Sequence, residues 1–402
     1  MGATRRLLAL GVSLVLAAAV SGCAVPARVG APDSPDEAKP VVQATAAPED
    51  AIAVRAAASV SAMSLREKAG AVVMGHIATV DPAALHDYMQ RTGIGGFILM
   101  GGNIPGTEAE LRALTGALTI DGGMPPLIAI DQEGGDVSRL PWDDFPSAVT
   151  LKDAPAPATQ DAFSGRGALV QRSGIGVNFG IVADVSADPS MFIYRRALGT
   201  TPEASAERVA AAVAGERVDV LSTLKHFPGH GAAPGDSHGV IPSTAESKAD
   251  WAGSDAVPFR AGIDAGAELL MFGHLAYTAV DAAPASLSTE WHRIARDELG
   301  FDGVTVTDDL GMLEASGIPA YQDPVANAVM ALAAGNDLVL TIVGSTAETA
   351  PRIVDGIVAA VESGAVPAER LDEAAVRVTE LRLTVAASGR GLVPCAECAP
   401  AG

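Results

Sequence analysis

At 402 residues and 49% hydrophobic content, the chain can bury one large core or two modest ones. Its formal net charge of -21 argues against nucleic acid or an anionic membrane surface as ligand, because both require clustered Lys and Arg. An acidic, soluble surface accounts for the charge without any partner.

Near the N-terminus, Arg5 and Arg6 precede an apolar run over residues 7–20, too short to span a membrane and long enough for a signal-peptide core. The run ends in Val20-Ser21-Gly22-Cys23, which resembles a bacterial lipoprotein signal. That resemblance implies lipidation of Cys23 and a membrane anchor on the outer face of the cytoplasmic membrane, with shedding as the alternative. A buried cysteine after an ordinary apolar segment is the alternative. Residues 24–50 are rich in Ala, Pro and charge without apolar periodicity and read as a tether. The expected organisation is a signal peptide at 1–22, the lipidated cysteine and flexible linker at 23–55, a folded domain at 56–388 and a flexible tail at 389–402. Cys395 and Cys398 in that tail are half of a zinc ribbon with no second pair, so no metal site is expected there. Outside the cytoplasm they are free to form a disulfide, although nothing in the sequence demands one.

From residue 60 onward, short apolar or β-branched runs recur at 71–77, 95–100, 127–131, 177–182, 221–226, 269–274, 303–308 and 337–341. Amphipathic stretches with helix punctuation separate them. Ser64 with Glu67 and Thr107 with Glu110 read as capping boxes, Thr201-Pro202-Glu203 as a helix start, and Gly300 and Gly335 as stops. Eight βα units in one domain predict an α/β fold, a single (β/α)8 TIM-type barrel with its site at the C-terminal strand ends. A doubly wound open sheet is the alternative, but no glycine-rich dinucleotide turn follows the first run.

Polar residues close several of these runs: Asp131, the pair Lys225 and His226, His274, and Asp308. The fifth run leads into K-H-F-P-G-H-G-A-A-P-G-D-S-H, residues 225–238, which places three of the seven histidines in one loop broken by proline and glycine. Upstream, Asp131-Gln132-Glu133-Gly134-Gly135 is followed by Arg139. A carboxylate beside a guanidinium suits adjacent sugar hydroxyls, one accepting and the other donating, and a structural ion pair is the simpler reading. Asp308 and Asp309 follow a β-branched strand, where one aspartate serves as nucleophile or base and the other as a helix cap.

Together, K-H-F-P-G-H-G with D-S-H, D-Q-E-G-G upstream and F-D-G-V-T-V-T-D-D-L-G-M downstream resemble the β-N-acetylglucosaminidases of glycoside hydrolase family 3 over residues 60–385. The resemblance implies retention of configuration, with Asp308 as nucleophile and His238, oriented by Asp236, as acid/base. It implies that Asp131, Arg139, Arg196, Lys225 and His226 hold the sugar, and it leaves His230 to shape the loop. Two departures stand out: Asp136 replaces the family's arginine after D-Q-E-G-G, and Asn178-Phe179-Gly180-Ile181-Val182-Ala183-Asp184 replaces N-F-A-P-V-x-D.

The expected substrate is terminal non-reducing N-acetylglucosamine on peptidoglycan fragments carrying N-acetylmuramic acid, in cell-wall turnover. The enzyme is expected to be a monomer with no cofactor, no metal and no nucleic-acid partner. Phosphorolysis at the same site is an alternative, because a neutral imidazole repels phosphate less than a carboxylate would. Further alternatives are a family glucosidase or xylosidase, a metal-dependent hydrolase using His226, His230, His238 and Asp236, and a sugar-binding lipoprotein without catalysis.

Overall fold

A computed structural model describes residues 48–390. The anticipated signal peptide, Cys23 and the Cys395/Cys398 tail lie outside the described residues. Eight strands run in parallel: β1 (Val73–Gly75), β2 (Gly96–Leu99), β3 (Leu127–Ile130), β4 (Val177–Val182), β5 (Leu221–Phe227), β6 (Leu269–Phe272), β7 (Val304–Thr307) and β8 (Val339–Leu340). Each pairs with its neighbour in chain order, and β8 returns to β1 through Val73 with Val339. A parallel bridge between Val306 and Leu338 joins β7 to β8, so the ring closes as the expected barrel.

The strands read as continuous apolar runs because both faces are buried. Leu127 and Ala129, Val177 and Phe179, Leu269 and Met271, and Val304 and Val306 belong to one inner cluster, whereas Ile128 and Ile130 pack in a separate cluster with helical side chains. This alternation follows the two-residue strand period. Val378, Leu381 and Val385 of the final helix, Ala368–Ser388, join the inner cluster. Its C-cap, Gly389, is left-handed at φ 67°.

The anticipated helix signals lie at helix ends. Ser64 and Glu67 form a reciprocal capping box, and Thr107 and Thr201 accept the N–H groups of Glu110 and Ala204. One boundary is corrected. Residues 48–55, expected within a flexible linker, begin the helix Pro48–Ala62. Its alanine-rich sequence favours helix without a clear apolar stripe, and Ala56 and Val60 bury as the helix packs on the final one.

Candidate active site

Asp131 directly follows β3, and the chain then reverses through Gly134 and Gly135, both in the left-handed region at φ 84° and 72°. Gln132 straps this turn: its Oε1 accepts the N–H groups of Arg139 (2.9 Å) and Leu140 (3.0 Å). Its Nε2 donates to Ser138 Oγ and Asp143 Oδ2, both at 2.6 Å. The strap returns Arg139 to Asp131, where Nη2 donates to Oδ2 at 3.3 Å. The Lys225 ammonium, from β5, donates to Asp131 Oδ1 at 2.9 Å and pairs with Glu133 Oε1 at 2.8 Å. Arg196 grips Glu133 with Nε at 2.9 Å and Nη2 at 2.7 Å. The result is a chain of alternating charges whose hydrogen-bonding atoms are held before any ligand arrives.

Burial alone would push the Asp131 and Glu133 carboxyls up. Lys225 and Arg139 reverse this for Asp131, while Arg196 and Lys225 hold Glu133 down to about 2. Lys225 stays charged because Asp131 and Glu133 outweigh its desolvation.

His226 is fixed from both sides. Arg196 donates to Nε2 at 3.3 Å, which assigns the ring proton to Nδ1, 2.8 Å from Asp184 Oδ2. Asp184 also accepts the backbone N–H groups of His226 (3.2 Å) and His230 (2.6 Å), tying the end of β5 to the root of the following loop. At that root Gly229 has φ 137°, and a Cβ there would lie 2.5 Å from Asp255 Oδ1. The peptide bonds joining Lys225 to His226 and Phe227 to Pro228 are cis. Further along, Asp236 Oδ1 accepts from His238 Nδ1 at 2.6 Å and from the His238 N–H at 3.0 Å. This leaves Nε2 as the imidazole's open nitrogen. Burial raises the Asp236 carboxyl, but these two bonds prevail and hold it low. Both side chains are more than half exposed, at 61% for His238 and 55% for Asp236.

Asp308 follows β7 and accepts the Asp309 N–H at 2.8 Å. Burial raises its carboxyl, but the His226 and His274 imidazoles, the Asp309 N–H and the Lys225 ammonium together hold it below the usual range. Asp309 turns away from the pocket to accept the N–H groups of Gly311 (3.0 Å), Ile342 (2.7 Å) and Val343 (2.9 Å). His274 donates through Nε2 to the Asp309 carbonyl at 2.8 Å and lies 2.7 Å from Ser286 Oγ through Nδ1.

One pocket is lined by Asp131, Arg139, Arg196, Lys225, His226, His238 and Asp308, with Val137 and Ser237 beside them. The fold thus brings together every anticipated site residue except Cys23, which lies outside the described residues, with Asp236 bonded to His238 at the rim. Glu133 and Asp184 went unassigned at the sequence level, although both sit just past strand ends as the assigned residues do. Asp136, where the family pattern has arginine, makes an exposed two-point ion pair with Arg195 at 2.6 and 3.0 Å. Among the described residues, no group of three or more His, Cys, Asp or Glu side chains is disposed to hold a metal ion.

Beneath the pocket, Asn178 Oδ1 accepts the Gln132 N–H at 3.0 Å and its Nδ2 donates to Glu216 Oε2 at 2.9 Å. Burial pushes the Glu216 carboxyl up from 4.5 to about 8, despite the Asn178 bond. The folded protein therefore binds a proton that the unfolded chain has released across that window, so this group makes stability fall as pH rises from about 4.5 to 8. Glu216→Gln, which mimics the protonated form, is expected to flatten that slope, with its urea midpoint rising relative to the parent as pH rises. A variant that instead loses ground towards pH 8 would contradict the assignment.

The family pattern described as Glycosyl hydrolase family 3 N terminal domain matches residues 64–381. An uncharacterized secreted glycosyl hydrolase from Arthroderma benhamiae is 31% identical over 345 residues, covering 82% of this chain and 97% of that protein. A beta-hexosaminidase from Stenotrophomonas maltophilia is 34% identical over 264 residues, covering 62% of this chain and 78% of that one. Among solved structures, a glycoside hydrolase family 3 beta-N-acetylglucosaminidase from Paenibacillus sp. is similar, with a TM-score of 0.75 and 32% identity. That alignment covers 81% of this chain and 63% of the solved one, so this chain spans under two thirds of its length. With the family pattern running from the first capping box into the final helix, and a barrel that presents its polar residues at one pocket, this chain belongs to glycosyl hydrolase family 3 and is a glycoside hydrolase.

Proposed function

We propose that the chain is a retaining exo-β-N-acetylglucosaminidase that removes terminal non-reducing N-acetylglucosamine from peptidoglycan fragments. The observation that carries this reading is the joint presence of Asp308, held ionised on a strand end, and His238, with a free Nε2, in the wall of one charged pocket. Asp131, Arg139, Lys225, Arg196 and His226 hold the sugar hydroxyls. The Asp308 carboxylate attacks the anomeric carbon while the His238 imidazolium gives its Nε2 proton to the departing oxygen, leaving a glycosyl ester and an imidazole protonated only on Nδ1. Water then attacks the same carbon as His238 takes back a proton, so two inversions leave the configuration unchanged. Asp236 keeps the proton on Nδ1 and stabilises the imidazolium.

The choice of N-acetylglucosamine is supported by the beta-hexosaminidase and beta-N-acetylglucosaminidase relatives. The signal-like N-terminus and the secreted relative support placement in the cell envelope, with Cys23 as lipid attachment point. The test is incubation of purified protein with N-acetylglucosaminyl-N-acetylmuramic acid, with and without inorganic phosphate, and identification of products by mass. Free N-acetylglucosamine under both conditions is expected. Accumulation of the sugar 1-phosphate would replace hydrolysis by phosphorolysis, and an intact disaccharide would overturn the substrate.

A further inference from the structure

The proposed acid/base is the most exposed part of the pocket wall, and its hydrogen-bonding partner cannot locate it. Asp236 is two residues from His238 on the same loop, so it travels with the imidazole rather than fixing it against the barrel. A reference point must come from another element. Phe192 provides one, from the segment between β4 and the helix Pro202–Glu216. Its ring meets His238 edge-on at 5.7 Å between centroids, with planes at 77°. Its other neighbour is His230, at 5.5 Å and 49°.

The two histidines sit at different points of one loop. His230 is buried at its root, its N–H held by Asp184, whereas His238 is 61% exposed. Phe192 itself is well anchored. Ile193, next in the chain, is fully buried, and its carbonyl accepts the N–H groups of Arg196 and Ala197, both at 2.9 Å. The Arg196 guanidinium lies 5.4 Å from the Phe192 ring while gripping Glu133. One half-buried aromatic ring therefore touches the sugar-binding network, the fixed root of the loop and its far end.

We propose that Phe192 is a positioning residue, which holds the His238 imidazole over the pocket through ring contacts with His238 and His230. The inference rests on the reading of His238 as acid/base. An edge-to-face pair contributes enough to shift the occupancy of a loop position by up to about tenfold.

The experiment compares F192L, F192W and H238A on two substrates: the N-acetylglucosaminyl-N-acetylmuramic acid disaccharide, whose leaving oxygen needs a proton, and a dinitrophenyl N-acetylglucosaminide, whose leaving group does not. F192L is expected to lower kcat/KM about tenfold on the disaccharide and less than about twofold on the aryl substrate, with F192W restoring most of the loss. Equal losses on both substrates, or none, with H238A still discriminating between them, would overturn the role of Phe192 alone. If H238A itself fails to discriminate, the reading of His238 falls and the inference falls with it.

Discussion

Asp308→Ala is expected to lower turnover on every substrate by on the order of 10^4-fold or more, because the first bond-forming step of the proposed mechanism loses its nucleophile. Dinitrophenyl and natural leaving groups should suffer alike, since neither departs without attack at the anomeric carbon. The surroundings explain why this carboxylate is suited to the task. It leaves a rigid strand end, the Asp309 N–H fixes one oxygen, and Lys225 and two imidazoles favour the ionised form despite burial. Asp309 is the contrasting neighbour. Its oxygens are taken by three backbone N–H groups, two of them just beyond β8, so Asp309→Asn is a change to a loop clamp rather than to the attacking group. Steady-state kinetics on folded variants checks the comparison; an Asp308→Ala enzyme that retains a tenth of parental kcat would remove Asp308 from the reaction.

His238→Ala should separate substrates where Asp308→Ala does not. Loss of the proposed general acid is expected to cost about 10^2–10^4-fold in kcat/KM on the disaccharide, whereas a dinitrophenolate leaves unaided and its kcat/KM should change little. Its kcat should still fall, because hydrolysis of the glycosyl ester needs the same imidazole as base. An imidazole can fill both roles because its ordinary pKa, near ~6.5, lies close to working pH, and Asp236 keeps the proton on the nitrogen facing away from the substrate. Equal losses in kcat/KM on both substrates would contradict this role.

Much of the barrel was legible in the sequence because of a physical constraint. Strands buried on both faces must be nearly all apolar, so a polar residue at the end of such a run marks the barrel mouth. Asp131, Lys225, His226 and Asp308 were found that way, and all four line the pocket. What stayed hidden depended on contacts between distant segments. Glu133 looked like one letter of a motif, yet it is the carboxylate shared by Lys225 and Arg196. Asp184 followed an apolar run like the others, but its work is to clamp His226 and His230 from 42 and 46 residues away. Phe192 showed no periodicity to single it out. Residues 48–55, the start of the helix Pro48–Ala62, read as linker because alanine-rich composition carries little pattern, and the helix's burial comes from the far end of the chain.

The central claim is a covalent glycosyl-enzyme on Asp308, and the His238→Ala variant offers a way to trap it. Mixed with a dinitrophenyl N-acetylglucosaminide, this variant should form the ester at near-normal rate and hydrolyse it slowly. Mass analysis of its proteolytic fragments is then expected to show the peptide containing Asp308 heavier by one N-acetylhexosaminyl residue. An adduct on another residue, or dinitrophenolate release in excess of enzyme with no adduct and an inverted sugar product, would contradict the account.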